Sequence, residues 1–345
     1  FVIVGNSIVG FHGMYFEFWL MLFSVSCLAN ILGLNISASF NSAVTIYILI
    51  PLLIIPQMIL GGAMFSFEKL NRKIGGGNSV PAIAEVMTSR WAYEALIVNQ
   101  FKNNEYEKPL YDIERKESIA NYKQSLYIPE LKDITEEARR NFKNKNDSTS
   151  LILKKNLAIL RNEIAKENEK VKQATYTELD NLTIEKFNEV VADKVMEHLT
   201  KLEGLYTEAF NAITEKKDQI IRSFSSDPKN EGLLKKAYDN YYNDNLADIV
   251  KRALEKNKIV RYKNELIQLI DPIYQEPQSG SLFSFKAPFY SPKKLMFGMK
   301  IETFTFNVII IWAYTILLFI TLYFDVLSKE LNLGSRIQFK KQEKS

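Results

Sequence analysis

The stretch IYILIPLLIIPQMILGGAMFSFEKLN, Ile46 to Asn71, decides how the rest of the chain is read. Its apolar part, Ile46 to Phe67, is long enough for a bilayer, since a membrane helix needs roughly 20 mostly apolar residues to cross about 30 Å of hydrocarbon. A plain anchor has no use for Pro51, Pro56, Gln57 or the pair Gly61 and Gly62. Each proline removes a backbone donor and clashes with the carbonyl one turn back. Inside lipid the freed groups need partners from other helices or water. An unpaired amide facing acyl chains is costly, and adjacent glycines let a neighbouring backbone come close. The span is therefore expected to bend or carry local irregularity, within a bundle or beside a cavity. For Gln57 two readings stand side by side: a hydrogen bond to an adjacent helix, or a place on a pathway.

Three more apolar stretches flank this one. Phe1 to about Phe11 reads as the tail of a membrane helix whose start lies upstream. Met14 to about Ala38 is a second stretch, with Glu17 near its start, where a carboxylate costs less than at the bilayer centre. Phe304 to Phe324 is the last. Tyr15, Trp19, Trp91, Tyr93, Tyr323 and Phe324 lie near the ends of these runs, where amphipathic rings favour the headgroup level. Trp312 lies deeper and is expected to serve helix packing. Several long runs in one chain argue against buried helices of a soluble protein.

Between about Lys102 and Pro288 the composition changes to Lys, Glu, Asp and Asn, with apolar residues at helical spacing. Ile152, Asn156, Leu160 and Ile164, with Leu153 and Leu157 alongside, predict one helix. Ile184, Phe187, Val191, Val195, Leu199 and Leu202 predict another, with Thr183 as its N-cap. LADIVKRAL from Leu246 and IVRYKNELIQLI from Ile259 predict two more, and the turn-rich SSDPKNEG and DPIYQEPQSGS mark breaks. The fold class expected is all-α: polytopic membrane helices with a large helical insert between the last two spans. The expected division is 1–99 membrane region, 100–300 insert, 301–328 final span and 329–345 basic tail.

Bulk properties narrow the function classes. The 345 residues carry a net charge of +4 and a single cysteine, Cys27, so no intrachain disulfide forms. No basic blocks interleaved with aromatics occur, which argues against a nucleic-acid partner. His12 and His198 are the only histidines and do not make a metal site. No spacing argues for a hydrolytic triad or paired catalytic carboxylates, so no catalytic, cofactor-binding or metal-ligating residues are expected from the sequence.

IPQMILGGAMFSFEKLN, Ile55 to Asn71, followed by SRWAYEAL, Ser89 to Leu96, resembles the late membrane region of G-subfamily ABC transporters, which carry the ABC type-2 membrane domain. In that family a span with an IPQ-like and Gly-Gly-like outer turn precedes a short re-entrant helix; Arg90, Trp91, Ala92, Tyr93, Ala95 and Leu96 match the helix. APFYSPKK, Ala287 to Lys294, before the last span, is similar to the Bacteroidetes-like form with an expanded loop. No G-x-x-x-x-G-K-[ST] phosphate loop occurs, and GGGNS, Gly75 to Ser79, lacks the lysine. The resemblance implies a nucleotide-binding domain upstream, holding ATP and Mg. It also implies a homodimer or half-transporter pair and alternating access for a substrate the sequence does not identify; the apolar spans suit a lipid or amphiphile, as such spans do in any membrane protein. The membrane would be the cell (inner) membrane, with Lys329, Arg336, Lys340, Lys341 and Lys344 placing the C-terminus in the cytoplasm and the insert outside. Lys69, Arg72 and Lys73 then land outside, against the charge rule. The expected path-lining residues are Thr45, Leu49, Leu52, Pro56 and Gln57, with Ala63 and Met64 at an outer constriction. A membrane-anchored receptor or scaffold displaying the insert is the competing expectation.

Overall fold

The computed structural model describes residues 1–9, 13–40, 42–64, 67, 80–144, 147–226, 232–277, 287–327 and 329. They form two compact units: Phe1–Asn104 with Gln275–Ser345, and Glu105–Tyr274. Residues 275–277 and 287–300, grouped by composition with the insert, belong to the first unit. His12, Lys69, Arg72, Lys73, the GGGNS segment and the tail cations beyond Lys329 lie outside the described residues.

The first unit contains α1 (Val2–Val9), α2 (Tyr15–Ser39), α3 (Ala43–Ile59), α4 (Ala82–Glu85) and α5 (Thr88–Lys102). A hairpin whose strands are Lys293–Met296 and Met299–Glu302 leads directly into the last helix, Thr303–Tyr323. At 1.5 Å per residue, α2 is about 37 Å long and the last helix about 31 Å, enough for a bilayer. Only 28% and 22% of their apolar windows are buried, unlike the core helices of a soluble protein. Their inward face is polar as well as apolar: Ser24 and Asn35 on α2, and Thr303, Asn307 and Thr315 on the last helix, are buried. Ile309, Ile316, Leu317 and Phe319 point outward. This pattern suits a lipid surround, where small and polar groups join helices. Asn35 Nδ2 donates to the Leu318 carbonyl at 2.9 Å, and Trp312 Nε1 donates to Ser24 Oγ at 3.1 Å. Trp312 thus serves helix packing, as its depth implied.

The third apolar stretch differs from its expectation. It remains one α-helix through both prolines, but at 17 residues it spans only about 25 Å and stops before Leu60. Gly62 has φ +83°, a left-handed conformation that ends the helix and turns the chain. No residue of α3 is buried.

The second unit is built on α6 (Tyr111–Tyr122), α7 (Ile128–Lys143), α8 (Asp147–Lys170), α9 (Glu189–Ser226), α10 (Leu233–Tyr241) and α11 (Asp244–Lys251). Ile128, Leu131 and Ile134 of α7 meet Leu157, Leu160 and Ile164 of α8 and Val195, Leu199 and Leu202 of α9 in its core. Each such side chain contributes roughly 1.5–3 kcal/mol by leaving water. Three local expectations are corrected. Asn188, not Thr183, caps α9, its Oδ1 accepting from Val191 N at 3.0 Å, so Ile184 lies ahead of the helix and is exposed. Ile152 is likewise exposed, and Leu153 takes its place inside. The segment from Ile259 is an antiparallel hairpin, β1 (Ile259–Tyr262) with β2 (Glu265–Gln268). Lys263 and Asn264 both have positive φ, the two-residue turn that matches strand twist. Its apolar spacing fits either period, and the turn decides it. The hairpin preceding the last helix supplies β3 (Lys293–Met296) and β4 (Met299–Glu302), and the last helix is α12 (Thr303–Tyr323). Both hairpins are short, and the protein is mostly helical.

Between α6 and α7 the chain widens into a π-turn, Lys123–Tyr127. It carries Lys123 Nζ to 2.7 Å from Glu167 Oε1 and to 3.3 Å from the Tyr127 ring centroid. Tyr206 Oη donates to the other Glu167 oxygen, and Tyr127 Oη donates to Glu163 Oε2 at 2.8 Å. A buried ion pair of this kind needs its remaining lone pairs satisfied, and here they are.

A second buried group makes this unit sensitive to pH. Glu107 is pushed up to about 8, first by burial, then by the charge of Glu114, with which it shares a hydrogen bond. Lys251 and the Tyr274 hydroxyl, 3.3 Å away, oppose the rise. The Tyr106 and Tyr242 hydroxyls lie in the same field. The folded chain therefore holds a proton that an unfolded one, titrating near ~4.3, releases. Stability from this group is complete below that value and is lost as pH rises through about 8. Stability is expected to fall between pH 6 and pH 8.5 by an amount on the order of 2 kcal/mol, read as a lower melting temperature. Glu107→Gln, which mimics the protonated form, is expected to flatten the profile. Parallel melting profiles for the two proteins would exclude Glu107 as the source.

Candidate functional site

Three stretches far apart in sequence meet at one place in the first unit: the C-terminal end of α3, the N-terminal half of α5, and residues 287–294. Contact begins at the glycines. A Cβ on Gly61 would stand 2.8 Å from the Gln57 carbonyl and 3.1 Å from Ser89 Oγ. A Cβ on Gly62 would stand 2.6 Å from the Phe289 ring. The Phe67 ring meets that of Phe289 edge-on at 4.9 Å. Gln57 then ties α3 to the start of α5. Its Oε1 accepts from Ser89 N at 3.1 Å, and its carbonyl accepts from Ser89 Oγ at 2.6 Å. That carbonyl lies within the turn where helix C-termini leave oxygens without intrahelical donors.

Behind this contact lies a buried cluster of charge. Glu94 is fully buried and Arg90 is 1% exposed. Glu94 Oε1 accepts from Lys294 Nζ at 2.5 Å and from Tyr290 N at 3.1 Å. Its Oε2 lies 3.6 Å from Arg90 Nη2 and accepts from Asn307 Nδ2 at 3.3 Å. Arg90 Nη1 donates to Glu85 Oε2 at 2.9 Å, and its guanidinium stacks 3.8 Å above the Trp91 ring. Asn307 Nδ2 also donates to the Trp91 carbonyl, at 2.8 Å. Two cations thus face one sealed carboxylate, with Glu85 near the surface as the second anion. Tyr290 holds φ +71°, rare for a bulky residue, and this turns its N–H onto Glu94. The arrangement clamps α5 to α12 and to the 287–294 segment through one side chain. Breaking such a clamp leaves charge buried without a partner, which is costly.

Of the residues expected to line a path, Thr45, Leu49, Leu52 and Pro56 follow one another at helical steps of three and four on one face of α3. Thr45 and Leu52 are exposed; Leu49, Pro56 and Gln57 are half-buried. Ala63 and Met64 are exposed just beyond the helix. Arg90 and Trp91 are buried in the cluster, while Tyr93 is half-buried against Phe289 and Tyr290. Glu17 lies in the first turn of α2. His198 belongs to the second unit, its ring 5.3 Å from that of Tyr176. Sequence reasoning missed Glu94, Tyr290, Lys294 and Asn307 as a set. Two signals were present: Glu94 follows Arg90 by four residues on one helix, and Asn307 interrupts an otherwise apolar run.

Comparison with known families gives one finding. Residues 1–101 match the family model for the ABC-2 type transporter. No curated protein and no solved structure matches the chain.

Proposed function

We propose, from the premise that residues 1–101 form an ABC-2 type transporter membrane domain, that this chain is the membrane part of an ATP-driven exporter of the G-subfamily type. That domain and two apolar helices of bilayer length make it a membrane protein. Its setting is the cell (inner) membrane. Two copies pair to enclose a path, and the Glu105–Tyr274 unit stands outside the cytoplasm. The nucleotide-binding domain belongs to a segment or chain beyond these 345 residues. No phosphate-loop pattern occurs in them, so they do not fit ATP and Mg.

The observation that carries this reading is the joint between α3 and α5 at Gln57 and Ser89, backed by the buried clamp on Glu94. Exchange between inward and outward access requires two states of differing stability that a second site can bias. A tightly jointed helix end beside a buried ion cluster that is costly to break suits such an element, and a display anchor needs neither. The face of α3 bearing Thr45, Leu49, Leu52 and Pro56 lines the path, and Ala63 and Met64 form its outer edge. The substrate class favoured by this apolar face is lipidic or amphiphilic.

Export of fluorescent lipids by the full-length transporter in sealed vesicles tests the proposal. Gln57→Ala and Leu52→Ala are each expected to lower nucleotide-dependent export several-fold with normal membrane insertion. Wild-type export by both variants would remove α3 from the path. A full polypeptide that exports no candidate lipid or drug, with or without nucleotide, would favour the display scaffold.

A further inference from the structure

The β3–β4 hairpin has features that clamp and path do not use. Its two-residue turn is Phe297 and Gly298, with φ +51° and +79°. Asn-Gly is the usual occupant of such a turn. A phenylalanine there is held in a conformation that bulky side chains avoid. That strain places an aromatic ring at the tip, 60% exposed, beside Met299 at 61%.

The strand register divides the hairpin into two faces. Met296 pairs with Met299 and Lys294 with Ile301, so these four share one face. On it, Met296 and Ile301 pack against the apolar cluster of Met21, Leu28, Trp91, Phe306 and Ile311 on α2, α5 and α12. Lys294 leaves this face inward to Glu94. The other face carries Lys293, Lys300 and Glu302 around Leu295, which is buried. Lys300 pairs with Glu276 at 2.8 Å and Glu302 with Lys102 at 2.5 Å. From Met299 the strand runs four residues and becomes α12 without an intervening loop. The exposed tip, Phe297 and Met299, therefore lies directly ahead of a helix of bilayer length.

We propose that the β3–β4 hairpin lies in the membrane interface at the N-terminal end of α12, with Phe297 and Met299 inserted among the lipids and Lys293, Lys300 and Glu302 facing water. An aromatic ring beside apolar side chains, backed by a charged face, is the composition that partitions to the headgroup and acyl boundary. The hairpin then sets the depth of the segment that carries Tyr290 and Lys294 to Glu94. The proposal rests on α12 crossing the membrane, and its test separates the two.

Nitroxide labels are placed at Phe297→Cys, Met299→Cys, Lys300→Cys and Ile316→Cys on a Cys27→Ser background, Cys27 being the only cysteine. The full chain is reconstituted in vesicles of phosphatidylcholine and phosphatidylglycerol. Accessibility to oxygen, which concentrates in lipid, is compared with accessibility to a water-soluble nickel chelate. Ile316 is exposed on α12 and reports whether that helix crosses. The oxygen-to-nickel ratio is expected to be several-fold higher at 297 and 299 than at 300, and highest at 316. A second variant, Phe297→Asn, keeps a residue tolerant of the left-handed turn and is expected to move the label at 299 toward water. A water-like ratio at 297 and 299 with a lipid-like ratio at 316 overturns the proposal and leaves the membrane reading standing. Low accessibility to both reagents at 297, the mark of a protein contact such as a second copy, also overturns it. Water-like ratios at all four sites overturn both.

Discussion

Glu94→Ala is expected to destabilise the first unit by about 3–5 kcal/mol, the usual cost of removing one member of a buried ion cluster. The change leaves Lys294 Nζ, now 2.5 Å from Glu94, without its carboxylate and Arg90 with Glu85 alone. It also leaves the Tyr290 N–H and Asn307 Nδ2 each short of an acceptor in a sealed site. Folded proteins hold together by roughly 5–15 kcal/mol, so a loss of this size shows in expression as well as in melting. Glu94→Gln is expected to fall between, since an amide oxygen still accepts hydrogen bonds but does not neutralise two cations. The double variant Glu94→Gln with Lys294→Met is expected to recover part of the loss, because it removes a charge along with its partner. Thermal unfolding of the purified chain in nanodiscs measures all three. Melting of Glu94→Ala within about 1 °C of wild type, well below the shift of about 2–4 °C per kcal/mol, would show that no clamp exists there.

Gly62→Ala is expected to be the most damaging small change at the end of α3, at about 2–5 kcal/mol. Two costs add. The left-handed backbone at φ +83° costs roughly 1–2 kcal/mol for a residue with a Cβ. The new methyl would then meet the Phe289 ring at 2.6 and 2.7 Å, an overpacking that costs roughly 1–3 kcal/mol. Gly62→Ala with Phe289→Ala clears the second cost and keeps the first, so the two can be read apart. Gly33→Ala in α2 is the control. Its Cβ would meet nothing within 4 Å, and alanine favours the helix over glycine by up to about 1 kcal/mol. Limited proteolysis at the turn after α3, alongside melting, reports the outcome. Equal protection in Gly62→Ala and Gly33→Ala would mean that neither the left-handed backbone nor the Phe289 ring penalises the added methyl.

The joint between α3 and α5 was partly legible in advance. Prolines and an amide in an apolar run pointed to close neighbours, and Gln57 does bond across to Ser89. The glycine pair likewise allows the close approach expected of it. The length of α3 was not legible, because hydropathy continues past Leu60 while the helix ends at a backbone conformation that only the fold reveals. In the second unit, apolar spacing located α8 and α11 but not the β1–β2 hairpin. A four-residue strand offers too few periods to separate it from a helix.

Composition and periodicity alone determined that this protein has apolar segments of bilayer length around a charged, helical unit. Those properties arise from neighbours along the chain, and burial follows them residue by residue. Only the tertiary structure decided that Arg90, Glu94, Lys294 and Asn307 share one sealed site. Glu94 and Lys294 are 200 positions apart, and nothing local marks them as partners. A charge can be buried only where folding brings it an opposite charge, so its meaning is set by the contact and not by the segment that carries it.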